Sequence, residues 1–154
     1  MTPDDVVVGA IERSRAHAEG VLHRSGMIFL SRSDGRILIQ RRSRSRETFP
    51  DLYDSSCSFH VSSGETNEDA AKRELLEETG ISASLRYLGK FTHYDPPENE
   101  IVAVYACVSD ESVQISREES SDAVFYTRDD VDRIIRNAST PWLRDGWTLA
   151  KERI

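Results

Sequence analysis

Apolar residues fall in short runs along most of this chain, the rhythm of strands, broken by a few stretches with helical period. Residues 27–30 and 36–40 read as two strands, and Asp34-Gly35 between them is a hairpin signal that predicts an antiparallel pair. Residues 47–55, with Phe49-Pro50, read as a loop, and a short strand is predicted at 57–61. Further strands are expected at 84–93, at 101–108 after a Pro96-Pro97 loop, and at 123–127. The valines at 6–8 predict one more, and 11–18 suit a helix and an extended arm equally. Helices are expected over 67–79 and over 128–136, the latter capped by Thr127 with Val131, Ile134 and Ile135 facing the core. Thr140-Pro141 opens a last helix with Pro at its first position. Mostly antiparallel strands with helices on both faces define the α+β class, an α/β/α sandwich.

The segment 65–81, ETNEDAAKRELLEETGI, carries the most chemistry. Thr66 and Asp69 make a capping-box-like start, Glu68 and Asp69 occupy the first turn, and Gly80 is a left-handed C′ residue before apolar Ile81. Gly64 upstream allows a tight turn or a close backbone approach. At about 100° per residue, Glu74, Glu77 and Glu78 share an arc of about 100°. Carboxylates so spaced repel by a few tenths of a kcal/mol per pair. Ala70, the other residue on that arc, leaves room between them, and a hard divalent cation with oxygen ligands such as Mg²⁺ relieves the repulsion. The alternative is a solvated acidic face with Lys72 and Arg73 as partners, and spacing alone leaves the two readings level.

Composition narrows the classes. With 154 residues, 38% hydrophobic and 31% charged, the chain is expected to form one globular domain, 1–154, with an N-terminal arm (1–24) and a C-terminal helix (140–154). A net charge of −7 argues against general nucleic-acid binding, although the local run Arg41-Arg42-Ser43-Arg44-Ser45-Arg46 suits a small polyanion. Two cysteines, Cys57 and Cys107, make no disulfide framework, so a reducing, cytoplasmic setting is expected. Neither a secretory leader nor an apolar stretch near the ~18 residues of a spanning helix is read, so no membrane partner is expected.

The acidic segment resembles the signature of the Nudix superfamily, G-x5-E-x7-R-E-U-x-E-E-x-G-U with U aliphatic, and places a box loop and helix at 59–81. Glu65, Arg73-Glu74, Leu75, Glu77-Glu78, Gly80 and Ile81 match, eight of nine fixed positions, and Phe59 stands where the opening glycine falls. The resemblance implies a Nudix-like sandwich and a metal-dependent hydrolase of phosphoric anhydride bonds, acting on a small-molecule diphosphate with metal-activated water. It implies Mg²⁺ or Mn²⁺ held by Glu74, Glu77 and Glu78, with a backbone carbonyl from Ser58 in the shell and Glu119 (Glu118 as second choice) as a further catalytic acid. Arg73 is then expected to pair with Glu65 and brace the loop. Dimers are common in the superfamily, so monomer and homodimer both stay open.

Almost the whole chain also resembles the isopentenyl-diphosphate isomerase branch, in RAHAEGVLHR, RILIQRRSRSRETFP, FHVSSGE, ENE and STPW. Histidines and glutamates that hold a metal there fall at His17, His23, His60, Glu98 and Glu100, His17–His23 being one residue short. Arg42 and Arg46 match residues that grip the diphosphate, and Trp142 matches an aromatic residue facing the reacting carbons. Two departures point to hydrolysis instead. Ser58 stands at the catalytic cysteine position, with Cys57 facing the other way, and the RE–EE set is intact. Isomerase is therefore the runner-up, and a noncatalytic diphosphate-binding regulator the third reading. Each candidate has a plainer alternative: satisfied structural histidines for His17, His23 and His60, a solvated loop for Glu98 and Glu100, a solvated strand end for the arginines. For Trp142 and Trp147, core packing on the last helix is the default. Phe91, His93 and Tyr94 suit a ring pocket and core packing equally.

Overall fold

The computed structural model describes residues 22–45, 49–94, 99–115 and 120–154. In chain order its elements are β1 (His23–Ser31), β2 (Ile37–Arg42), β3 (Tyr53–Asp54), β4 (Cys57–His60), α1 (Asn67–Thr79), β5 (Arg86–His93), β6 (Glu100–Val108), β7 (Ser120–Tyr126), α2 (Arg128–Asn137) and α3 (Pro141–Ala150). The expected elements at 6–8 and 11–18 lie outside the described residues.

One seven-stranded sheet runs β3-β2-β1-β6-β5, with β4 also on β1 and β7 also on β2. β1 and β6 are parallel in register from His23↔Glu100 to Ser31↔Val108, and the other pairs are antiparallel. The hairpin at Asp34-Gly35 exists, but β1 and β2 pair only at Ser31↔Ile37 and then part. Ser56 fills the parting: its hydroxyl accepts from Leu30 N at 2.8 Å and donates to Leu38 O at 2.6 Å. The strands prove longer at polar ends than alternation indicates. Partners on both sides hold His23–Ser31 extended although its first three residues are polar, and β7 starts at Ser120 because it pairs with Arg42.

Both faces of β1 are buried, so successive residues serve two cores. Met27 and Phe29 join Ile37, Ile39, Val102, Val104, Val131, Leu143 and Trp147 under α2 and α3. Ile28 and Leu30 join Leu38, Cys57, Phe59, Ala70, Ala71 and Leu75 under α1. This is the expected α/β/α sandwich. Two close approaches depend on glycine. The Phe59 ring lies where a Cβ on Gly26 would stand, 2.1 Å from Cζ, and a Cβ on Gly146 would meet the Met27 sulfur at 2.1 Å. Phe59 at the box's opening position is thus accommodated by a bare glycine directly across the β1–β4 ladder.

Candidate active site

α1 begins and ends as its sequence dictates. Thr66 Oγ1 accepts from Asp69 N at 3.1 Å, and Gly80, at φ 75°, closes the helix with its N–H on Leu76 O. Ahead of it, Gly64 takes φ 81° in a turn where Glu65 N donates to Ser62 O at 3.0 Å. Arg73 grips Glu65 with both ends of its fork, Nε to Oε2 at 2.9 Å and Nη2 to Oε1 at 3.0 Å, and Ser62 N donates to the same carboxylate at 3.1 Å. The Arg73 hydrogen bonds hold the Glu65 carboxyl at about 2. Glu65 and Arg73 thus clamp the loop onto the helix.

Arg73 also reaches Glu74 at 2.7 Å and Glu77 at 3.5 Å, so the guanidinium sits at the edge of the acid arc. Glu77 is exposed, while Glu78 is buried at 9%. The donor set is carboxylate throughout, the chemistry of a hard cation site. Lys72 does not enter the arc, because it pairs with Glu68 at 3.4 Å. The plainer partner reading therefore holds for Arg73 alone, and a single guanidinium among three carboxylates leaves the arc negative.

A second cluster forms on the α3 side of the sheet, where the first residues of β1 and β6 meet the last of β4. His60 Nε2 lies 3.0 Å and His23 Nε2 3.4 Å from Glu100 Oε1, and the two imidazoles stack with centroids 5.6 Å apart at 16°. Trp142, in the first turn of α3, donates Nε1–H to Glu100 Oε2 at 2.7 Å. Glu100 is 3% exposed. Burial pushes its carboxyl up, but the hydrogen bonds and charge of His23 and His60 outweigh that and hold it well below the usual carboxylate range. Among the described residues, His23, His60 and Glu100 are the one group of three metal-donor atoms within 4.8 Å of one another, and the box acids as they stand do not form another. The β1 register explains the convergence, since it sets His23 beside Glu100 on one side and Ser25 beside His60 on the other.

The remaining candidates divide. Glu100 stands with His23 and His60, whereas His17, Arg46, Glu98, Glu118 and Glu119 lie outside the described residues. Ser58 shares the His60 face of β4 and is exposed, with its Oγ 3.2 Å from Ser55 Oγ, while Cys57 is buried in the opposite core. Arg42 is not a solvated strand end. At 9% exposure it meets Asp54 at 3.3 Å and lies 6.0 Å from the Trp142 ring centre. Trp142 is more than core filler, touching Glu100, the edge of Phe49 at 5.2 Å and His93 at 5.3 Å. Trp147 is core, with its N–H on Asp132 at 2.7 Å. Tyr94 is 63% exposed. Asp54 escaped the sequence reading because its partners lie on β2 and before α3.

A mixed sheet between helices, with an acid-bearing loop and helix delivered from β4, is the Nudix fold, and the NUDIX domain model matches residues 21–145. The chain belongs to the Nudix hydrolase superfamily, enzymes of phosphoric anhydride bonds. Its relatives carry both kinds of name. It is 36% identical over 122 residues to the isopentenyl-diphosphate delta-isomerase of Serratia proteamaculans, covering 76% of this chain and 68% of that one. It is 37% identical over 123 residues to an uncharacterised Nudix hydrolase of Pseudomonas aeruginosa, covering 79% and 72%. Among solved structures, the Deinococcus radiodurans protein DR0079 superposes with TM-score 0.79 at 28% identity, covering 97% of this chain and 96% of that one. No helix among the described residues is long and apolar enough to cross a membrane.

Proposed function

We propose that this chain is a Mg²⁺- or Mn²⁺-dependent pyrophosphohydrolase that cleaves the diphosphate linkage of a small metabolite, a nucleoside diphosphate derivative or a similar compound. The observation that carries this reading is the braced acid helix: Glu65 and Arg73 clamp the loop, and Glu74, Glu77 and buried Glu78 project from one arc beside them. In this reading Glu74, Glu77 and Glu78 hold the cation with the Ser58 carbonyl, one of these three orients or deprotonates the attacking water, and Glu119 is a further catalytic acid. Arg42 and Arg46 take the diphosphate oxygens, to which guanidinium forks are matched. The bound cation neutralises charge on the phosphoryl oxygens and makes water a better nucleophile. Water adds at one phosphorus and the bridging oxygen leaves with the other half, giving two phosphate-terminated products. Cys57 and Cys107 are both buried, in keeping with a cytoplasmic protein.

The His23–His60–Glu100–Trp142 cluster favours a second reading, isopentenyl-diphosphate isomerase. Ser58 opposes it, because a hydroxyl is a far weaker acid than a thiol for a proton relay. A screen of diphosphate compounds with Mg²⁺, isopentenyl diphosphate included, separates the readings. Phosphate or a monophosphate product, lost by orders of magnitude in Glu77→Gln and Glu78→Gln, is expected. Allylic diphosphate without phosphate release points to the isomerase, and tight binding without turnover points to a regulator.

A further inference from the structure

The structure assigns Asp54 as the positioning residue for the diphosphate-binding arginine: one buried carboxylate ties Arg42 to the start of α3, so that the phosphate grip and the Trp142 wall are held as a unit. This rests on Arg42 contacting the diphosphate, as proposed above.

The β2–β7 ladder shifts register at the end of β2: Arg41 stands opposite Asp122 and Arg42 opposite Ser120, the extra residue, Ser121, lying on β7. Arg41 stays at the surface on Asp51 at 3.0 Å, whereas Arg42 is buried. The chain then doubles back, with Asp51 at φ 64°, Asp51 N on Arg42 O at 3.1 Å and Arg42 N on Leu52 O at 2.8 Å. That return lays β3 beside β2, with Asp54 opposite Gln40. Asp54 is 5% exposed and accepts three donors: Arg42 Nη1 at 3.3 Å, Thr140 Oγ1 at 3.3 Å and Ser55 N at 2.8 Å. Thr140 is the cap of α3, accepting from Leu143 N at 3.1 Å, and its own N–H donates to Tyr53 O at 2.9 Å. Trp142 begins two residues later and holds Glu100.

Two features make this a device for positioning rather than a generic ion pair. A buried pair contributes little net stability, because desolvation of both charges opposes their attraction. What it secures is direction: Asp54 takes one terminal nitrogen of a five-donor fork, which sets the plane in which the guanidinium meets a second anion. The same carboxylate fixes the α3 cap, so displacing it moves Arg42 and Trp142 together.

The test measures binding of inorganic pyrophosphate with Mg²⁺ by calorimetry, and kcat and KM on the substrate found in the screen, for Asp54→Asn, Arg42→Gln and the double variant. Asp54→Asn keeps the size of the side chain and one acceptor oxygen but removes the charge. The expected result is pyrophosphate binding roughly tenfold weaker in each single variant, a raised KM with kcat within a few fold, and little further loss in the double variant. Loss in Arg42→Gln with none in Asp54→Asn, or additive losses in the double, overturns the role of Asp54 alone. Wild-type binding in Arg42→Gln overturns the assignment of Arg42 itself. Should Asp54→Asn fail to fold, the Arg42 Nε–H resonance of the wild-type protein, assigned by its loss in Arg42→Lys, decides. A resonance resolved from those of surface arginines that shifts on adding pyrophosphate supports the inference, and one averaged with them refutes it.

Discussion

Replacing Gly26 by alanine tests how this chain carries a phenylalanine at the opening position of its box. A Cβ at Gly26 would stand 2.1 Å from Phe59 Cζ and 2.6 and 2.7 Å from the two Cε atoms. Carbon atoms rest at about 3.5–4.0 Å, so the ring must retreat by roughly 1.5 Å. It has nowhere to go, being 3% exposed and packed in the same core as Ala70, Ala71 and Leu75 of α1. Overpacking of this kind costs about 1–3 kcal/mol, and truncating the ring in Phe59→Ala costs about 3–5 kcal/mol through lost burial and a cavity. In the double variant the methyl enters the space the ring has left, so the two costs must not add: the double is expected to be about 1–3 kcal/mol better than their sum. Urea unfolding of the four proteins measures this directly, each kcal/mol also moving the melting temperature by about 2–4 °C at this size. Additivity within about 0.5 kcal/mol, or a neutral Gly26→Ala, would refute the account of Phe59. Since Phe59 leads through His60 into the loop before α1, Gly26→Ala is also expected, on the proposed function, to weaken metal binding, seen as a higher Mg²⁺ concentration for half-maximal turnover.

Glu65 and Glu100 both have folded-state pKa values below their ordinary ones, Glu65 at about 2, so each stabilises the fold above the usual carboxylate range and that stability is lost as pH falls from about 4.5 toward 2. Acid unfolding followed by circular dichroism should therefore steepen in that window and become shallower in Glu65→Gln and Glu100→Gln; an unchanged profile in both counts against these pairings. Trp142→Phe removes the donor on Glu100 Oε2 and is expected to cost about 1–3 kcal/mol, read as a lower urea midpoint. Thr66→Ala removes the α1 cap and should cost about 1 kcal/mol with the helix content retained by circular dichroism.

Local chemistry was legible wherever neighbours in the chain sufficed. The start and stop of α1, the caps Thr127 and Thr140, the Pro at the head of α3 and the acid arc of Glu74, Glu77 and Glu78 all follow from residues within a turn or two of one another. The Glu65–Arg73 clamp spans eight residues and joins the loop ahead of the cap to the helix, so it was legible only through the resemblance of the box pattern. What the amino-acid order could not decide was which distant residues share a space. His23, His60 and Glu100 meet because β1 takes β6 on one side and β4 on the other, a pairing set by which apolar faces the helices cover. The isomerase-like pattern picked out Arg42, but only the two-residue strand β3, laid beside β2, brings Asp54 to it. Burial is the physical reason. Helix caps and turns are governed by backbone hydrogen bonds a few residues apart, whereas the direction of a charged side chain depends on what the packed sheet leaves beside it. The sequence by itself determined the acid-bearing helix and the layers around it, and its likeness to the isomerase branch grouped His23, His60, Glu100 and Trp142; the tertiary packing decided how they touch, with Trp142 donating to Glu100 and Asp54 holding Arg42.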